Sequence, residues 1–269
     1  MQAYKTIDEQ LHLLCQPLAK VNEGFVSPAA DQSHTNLSFD PVSGRIYARW
    51  IENGTGKQIL ALNTNEQKFE WLDENFQVKE KVAAANKSIV EIEQAIQQSL
   101  TKVGLSPDKF PKGMSYEIPD YSFAGQAIAK LDSQACANWQ KYRNLANLAC
   151  QQTLTYLQAV EQVRIWPHHF DTGIYVEANQ HIGVGFGFAM ADSMIDAPYF
   201  YVAAYPLKDK SFGQNTLPNL SDGEWKVSES WHGAVLSAEK LPVDELENNL
   251  DKVAIFVKEC VDSFFLLRE

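Results

Sequence analysis

The segment from His181 to Met190 places the tightest constraint on how this chain folds. Its odd-numbered positions hold histidine, three glycines and alanine, whereas its even-numbered positions hold isoleucine, valine, two phenylalanines and methionine. In an extended chain, neighbouring side chains point to opposite faces. The pattern therefore predicts a strand with one apolar face and one face of nearly bare backbone. Glycine inside a strand costs stability and often marks the close approach of a ligand or of another chain segment.

Two histidines and an acid come shortly before this strand. Residues 164–171 read RIWPHHFD. If the chain is extended after the proline, His169 and Asp171 share one face, and Tyr175 lies further along the same face. The pattern predicts a site at which an imidazole, a carboxylate and a phenol lie side by side.

A hairpin would join these two segments. A three-residue loop at 179–181 pairs Tyr175 with Gly185 and Gly173 with Gly187, and it keeps both apolar faces on one side. The result is a glycine-floored sheet face that offers a cleft for a small molecule. The structural alternative is that the ring of Tyr175, or another aromatic ring, lies across the glycines.

Further side chains are predicted to line the same face. Residues 197–206 (APYFYVAAYP) put alternate tyrosines on one side of a strand, and Trp231 with His232 lies in the last strand. The predicted ligand-binding residues are Trp166, His168, Tyr175, Gly185, Gly187, Tyr199, Tyr201 and Trp231. The candidates for acid–base catalysis are His169, Asp171 and His232. Alternate tyrosines are more often core or interface residues, so a structural role stays open for them.

These residues are compatible with a divalent metal, although the sequence requires no cofactor. Imidazole and carboxylate groups suit zinc, iron or manganese. The candidate ligands are His169, Asp171, His181 and His232. No helical H-x-x-x-H or H-x-x-E-H motif supports a metal site. The glycine spacing differs from that of a dinucleotide-binding loop, and no G-x-S-x-G elbow is present.

The hydrophobic periods predict an α+β fold with a mainly antiparallel sheet flanked by helices. Capping boxes at Thr6 and Ser88 precede apolar residues at helical spacing, a third helical stretch covers 126–163, and a fourth helix opens after Pro242. Period-two segments, typical of strands, fill the intervals at 34–39, 45–51, 57–63, 67–72, 77–81, 170–178, 182–190, 199–205 and 224–236.

Each half of the chain has the order helix, about four strands, helix. Leu14-Cys15-Gln16 and Ala149-Cys150-Gln151 lie 135 residues apart, close to half the length of 269. These features predict two pseudo-repeated α-β4-α halves. They cover 1–103 and 125–269, with a proline-containing connector at 104–124 and the candidate site in the second half. Chance similarity of short amphipathic elements is the alternative.

Charge and cysteine usage restrict the partners and the compartment. The formal net charge of -11 disfavours nucleic acid, which requires clustered Lys and Arg, and it disfavours an anionic membrane surface. No window approaches the roughly 18 apolar residues of a membrane span, and Asp8 and Glu9 occupy the place of a signal peptide's apolar stretch. The four cysteines contain no C-x-x-C pair and are predicted to be buried free thiols. We therefore expect a cytoplasmic protein with a small molecule as its partner.

Several segments together resemble a known bacterial family. They are Trp166–Asp171, Gly185–Phe188, Pro198–Val202 with Tyr205-Pro206, Trp231–Leu236 and Leu11–Gln16. The chain is similar in these segments to the bacterial domain-of-unknown-function 5996 family, and the W-P-x-H-F-D element is the most specific part. The resemblance would cover nearly the whole chain. It implies a soluble bacterial protein and transfers no activity.

Three functions are consistent with the sequence. The first is binding of a small molecule in a cleft on the glycine-floored face of the C-terminal half. The second is a metal-assisted, hydrolase-like enzyme that uses His169 and Asp171 with His232 as a helper. The third is a non-catalytic structural or interaction protein, in which the polar sheet face is solvated or covered.

Overall fold

The predicted α+β class is confirmed by the computed structural model, which describes residues 1–54, 56–207, 217–229 and 231–266. Its α-helices are α1 (Gln2–Phe25), α2 (Ile89–Lys102), α3 (Ser133–Tyr156) and α4 (Leu246–Leu266). Its strands are β1 (Ser38–Asp40), β2 (Arg45–Tyr47), β3 (Ile51–Asn53), β4 (Gly56–Asn63), β5 (Lys68–Asp73), β6 (Val78–Ala83), β7 (Arg164–Trp166), β8 (Asp171–Glu177), β9 (Ile182–Ala189), β10 (Tyr199–Pro206), β11 (Glu224–Val227) and β12 (His232–Ser237).

The strands of the described residues form two sheets of six. The first has the order β1-β2-β4-β5-β6, with β3 paired to β4, and the second has the order β11-β12-β10-β9-β8-β7. The hairpins β1–β2, β4–β5, β5–β6, β8–β9 and β9–β10 are antiparallel. Short loops between successive strands account for this pattern, because parallel pairs need long crossover connections.

The chain divides into two compact units at positions that differ from the predicted halves. The N-terminal unit comprises Gln2–Gln140 and Ile165–Phe170, and the C-terminal unit comprises Lys141–Arg164 and Asp171–Glu269, with Met1 grouped with it. The stretch 104–124, predicted to be a connector, lies inside the N-terminal unit. The division instead falls within α3, within β7 and at the end of the turn that precedes β8.

The apolar stripe predicted for the first helix is confirmed, although its start is not. Ile7, Leu11, Leu14, Leu18 and Val21 are all buried in the N-terminal unit. The helix begins at Gln2, and the Thr6 hydroxyl donates to the Gln2 carbonyl from inside the helix, so the predicted capping box at Thr6 is wrong. The second capping box is confirmed, because the Ser88 hydroxyl accepts from the Glu91 amide while the Glu91 carboxylate accepts from the Ser88 amide. It caps α2.

Aromatic rings form the core of the C-terminal unit. Phe188 stacks on Tyr142 of α3 at 5.8 Å between ring centroids, and it meets Phe200 of β10 at 4.8 Å. The third helix is shorter than predicted, and α4 begins at Leu246, four residues after Pro242. The predicted strand 224–236 is instead two antiparallel strands, β11 and β12.

The predicted repeat of one α-β4-α arrangement is wrong in strand order. Three strands on each path agree, because β1-β2-β4 and β8-β9-β10 are neighbours in chain order once the three-residue β3 is set aside. In the first sheet the next strand, β5, pairs with β4. In the second sheet the chain forms the edge strand β11 first and then returns as β12 to pair with β10. The two sheets thus contain similar hairpins but differ in strand order.

Two further expectations concern sulfur and membranes. Cys15, Cys136, Cys150 and Cys260 are buried free thiols in helices, as predicted. Among the described residues, no helix combines the length and the apolar composition that a bilayer crossing requires.

Candidate functional site

The predicted hairpin register is confirmed. Tyr175 lies opposite Gly185, and Gly173 lies opposite Gly187. The loop closes because the Asn179 side-chain oxygen accepts hydrogen bonds from the His181 and Ile182 amides, at 2.8 and 3.2 Å. The even-numbered side chains of β9 are buried against the core. The odd-numbered glycines therefore lie on the opposite face.

We call this opposite face the glycine face. It consists of side chains that share the parity of the glycines, and the strand register defines them. They are Asp171, Gly173, Tyr175, Glu177, Gly183, Gly185, Gly187, Ala189, Tyr199, Tyr201, Ala203, Tyr205, Glu224, Lys226, Gly233, Val235 and Ser237. All of them belong to the C-terminal unit.

The predicted extension of β8 back through His169 is wrong. Residues 167–170 form a turn in which the Phe170 amide donates to the Trp166 carbonyl at 2.6 Å, and Phe170 has a φ of 55°. The strand begins only at Asp171, so the alternation of faces does not reach His169. A left-handed backbone is unfavourable for a bulky residue. Complete burial of Phe170 and its stacking on the His12 ring at 5.2 Å offset that cost.

Polar side chains of α1 hold this turn at the Pro167 carbonyl. His12 Nε2 and Gln16 Nε2 both donate to that oxygen at 2.9 Å. A carbonyl only accepts, so Nε2 carries the proton, and in the neutral ring Nδ1 accepts from the Tyr121 hydroxyl at 2.6 Å. The Tyr116 hydroxyl donates to the Gln16 amide oxygen at 3.0 Å. Sequence reasoning missed this network, although a buried polar pair at i, i+4 in an apolar helix was its signal.

The histidine pair takes part in aromatic packing within the N-terminal unit. The His168 ring lies 4.2 Å from the His169 ring, 5.4 Å from Tyr116 and 6.1 Å from Trp166, measured between centroids. Burial lowers the pKa of His168 to about 4, and the neighbouring His169 contributes to the lowering. His168 is therefore neutral near pH 7.

The structure agrees with the alternative that aromatic rings lie across the glycines, because tyrosine rings cover Gly183 and Gly185. A Cβ atom on Gly183 would overlap the Tyr175 ring, whose nearest ring carbons would lie at 2.8 and 2.9 Å. A Cβ atom on Gly185 would lie 3.0 Å from Cε2 of Tyr205. At both positions, the three nearest atoms to such a Cβ belong to a tyrosine side chain. Each of these glycines therefore makes room for a ring.

Side chains also cover Gly173, Gly187 and Gly233, and these three glycines have less space above them. The Tyr201 hydroxyl would lie 2.8 Å from a Cβ atom on Gly187 and 3.1 Å from one on Gly173, and the Trp231 ring would lie 2.5 Å from one on Gly233. Here the backbone also intervenes. Carbonyl oxygens of neighbouring strands would lie at 2.6, 2.9 and 2.5 Å from the three Cβ atoms, respectively. These three glycines are required by the backbone as well as by the rings.

Two phenol–carboxylate pairs anchor tyrosines of this face. The Tyr201 hydroxyl donates to Asp171 at 2.5 Å, and the Tyr199 hydroxyl donates to Asp192 at 2.7 Å. Burial first, and then the adjacent Asp171, raise the pKa of Tyr201 well above its usual value. The phenol stays protonated and serves as a donor to the carboxylate. Asp171 thus orients the ring that covers Gly187.

The candidate metal ligands do not converge. His232 pairs with Ala204 and has the parity of the apolar face, whereas Asp171 lies at the other end of the sheet, just before the residue paired with Phe188. His181 precedes β9 at the end away from Asp171, seven residues from Phe188, which is about 23 Å along a strand. Within the described ranges, no group of three or more His, Cys, Asp or Glu side chains has the arrangement of a metal site.

Comparisons with protein-family models, with curated proteins and with solved structures each gave no match. The resemblance to the 5996 family stays a prediction.

Proposed function

We propose that this protein binds a small molecule on the glycine face, with the ligand resting on the tyrosine rings that cover the glycines. The observation that carries the proposal is the position and the solvent exposure of Tyr175 and Tyr205. Both rings lie over glycines of β9, and yet the two residues are 41% and 39% exposed. A rigid aromatic ring with one free face suits contact with the apolar face of a ligand.

A purely structural role accounts less well for these two residues. Glycine inside a strand costs roughly 0.5–1 kcal/mol relative to alanine. At Gly183 and Gly185 the nearest obstacles to a side chain are the tyrosines themselves. A strand that needed only stability would be better served by a small side chain at each glycine and a shorter residue at each tyrosine. The sequence keeps the costly combination, which presents two rings at the surface.

Other features agree with the proposal. Small-molecule sites combine aromatic surface with a few polar groups, and here Glu177 lies two positions along β8 from Tyr175 on the same face. The free buried thiols suit a reducing cytoplasm, which we infer to be the compartment. We also propose a bacterial origin, on the resemblance of the W-P-x-H-F-D element alone.

A binding measurement with matched tyrosine variants tests this proposal. Native mass spectrometry of freshly purified protein is followed by ligand-observed NMR with methyl glucoside, adenosine and choline as probes. We expect at least one probe to bind, and the double variant Tyr175→Ala, Tyr205→Ala to weaken its binding by about tenfold or more.

Tyr156→Ala is the matched control, because Tyr156 is a tyrosine of the same unit that is 42% exposed outside the glycine face. Unfolding curves of every variant show whether the fold is retained. The proposal is overturned if nothing co-purifies and no probe binds the wild-type protein. It is also overturned if the double variant, still folded, binds as the wild type does.

A further inference from the structure

Two tyrosines from neighbouring strands meet at an angle over the glycines of β9. Tyr175 comes from β8 and leans over Gly183, while Tyr205 comes from β10 and leans over Gly185. Their ring centroids are 5.8 Å apart, and the ring planes are inclined at 64°. The edge of one ring therefore points towards the face of the other, and the two rings form a corner. We call these two residues the tyrosine pair.

An exposed carboxylate lies beside the tyrosine pair. Glu177, Gly183 and Tyr205 are consecutive partners across β8, β9 and β10, so they form one row of the sheet. Adjacent strands are about 4.8 Å apart, which places Glu177 about 10 Å from Tyr205 between Cα atoms, on either side of Gly183 and of the Tyr175 ring that lies over it. Within β8, Glu177 is the next residue after Tyr175 on the same face. Its charge contributes to raising the pKa of Tyr175, after the effect of burial.

We infer that the ligand of this site carries an ammonium group, as an alkylated or quaternary amine. The ammonium group contacts the tyrosine pair, and Glu177 is its counter-ion. The inference rests on the proposed function and narrows it to a class of ligand. Cations are attracted to the faces of aromatic rings, and aromatic cages recognise quaternary ammonium groups in this way. The tyrosine pair supplies two walls of such a cage, and the carboxylate supplies the charge.

The electrostatics of the face favour a cation over a neutral or anionic ligand. The strand register places Lys226 in the same row of the sheet as Tyr175, four strands away. Its ammonium group forms an ion pair with the Glu224 carboxylate at 2.9 Å. Burial raises the pKa of both Tyr175 and Tyr205, so the rings stay protonated near pH 7. The chain as a whole carries a formal charge of -11. Long-range attraction and local contacts therefore act in the same direction.

A pair of isosteric probes separates the charge from the shape of the ligand. Choline and 3,3-dimethylbutan-1-ol differ in the replacement of a quaternary nitrogen by carbon. We expect choline to bind the wild-type protein about tenfold more tightly than the neutral alcohol. Isothermal titration calorimetry or ligand-observed NMR at constant ionic strength measures both affinities.

Matched variants then assign the contribution of each group. Glu177→Gln keeps the size of the side chain and should weaken choline about fivefold or more, while leaving the alcohol unchanged. Glu239→Gln, which removes an exposed carboxylate elsewhere in the same unit, should change neither affinity. Tyr175→Phe and Tyr205→Phe should retain choline binding, because the ring face and not the hydroxyl makes the contact.

The outcomes distinguish this inference from the proposed function. If another probe binds through the two tyrosines while choline binds no better than the alcohol, the ammonium inference fails and the binding function stands. If choline binds and Glu177→Gln has no effect, the assignment of the counter-ion fails. If neither these compounds nor any earlier probe binds, both proposals fail.

Discussion

The glycines of the second sheet fall into two groups, which differ in the atoms that a side chain at each position would meet. At Gly173, Gly187 and Gly233, a side chain would meet a carbonyl oxygen of a neighbouring strand as well as a ring. At Gly183 and Gly185, the nearest atoms all belong to tyrosine side chains. The first group is needed for the strands to pair closely, and the second group is needed only for the rings to lie on the sheet.

The hydrogen bond between Tyr201 and Asp171 gives a prediction at the scale of single residues. Tyr201→Phe removes a 2.5 Å donor from a buried carboxylate, and we expect it to lower the free energy of unfolding by about 1.5–3 kcal/mol. Tyr199→Phe is the control, since its partner Asp192 is exposed and water replaces the lost donor. Urea denaturation measures both. Equal losses in the two variants would contradict this account of Asp171.

Strand β9 illustrates how far local sequence determines an element. Its alternation predicted the strand, its buried face and its register with β8, because each depends on neighbouring residues and a short loop. The turn before β8 was predicted wrongly. His169 leaves the strand because Phe170 is drawn into the interior and Pro167 is bound by His12, 155 residues earlier in the chain. No local pattern contains that contact.

Substitutions within β9 provide a prediction at the scale of the element. Gly187→Ala places a Cβ atom 2.6 Å from the Thr172 carbonyl oxygen, so the strands must move apart, and we expect a loss of about 1–3 kcal/mol. Gly183→Ala meets only the end of the Tyr175 side chain, which can swing aside, and should cost less than about 1 kcal/mol. Thermal unfolding of the two variants checks the order. The reverse order would show that the backbone is not what excludes a side chain at Gly187.

At the scale of the whole molecule, the fold class was within reach of sequence reasoning, whereas the arrangement of the chain was not. Helical and strand periods predicted the α+β class. The exchange of β11 and β12 in the sheet and the division of the chain within α3 were missed. Both depend on which surfaces pack together, and similar amphipathic elements are compatible with more than one order.

Protonation links one side chain to the stability of the N-terminal unit. The pKa of His168 is about 4 in the folded protein and near 6.5 when the side chain is solvated. As the pH falls from about 6.5 towards 4, the unfolded chain binds a proton at His168 that the folded chain does not, so stability is lost over this interval. We expect His168→Phe, which retains an aromatic ring, to lose less stability than the wild type between pH 7.5 and 5.0. Urea denaturation at both pH values tests this, and an identical loss in the two proteins would refute the role of His168.

The sequence by itself determined the properties that depend on adjacent residues. These are the helical and extended periods, the capping box at Ser88, the parity of β9 and the pairing of its glycines with β8. The tertiary structure alone decided what covers that glycine face. Whether a glycine lies beneath water or beneath a ring depends on where Tyr175, Tyr201, Tyr205 and Trp231 pack once the strands are assembled. That packing is a property of surfaces brought together from distant parts of the chain, and periodicity describes only one surface at a time.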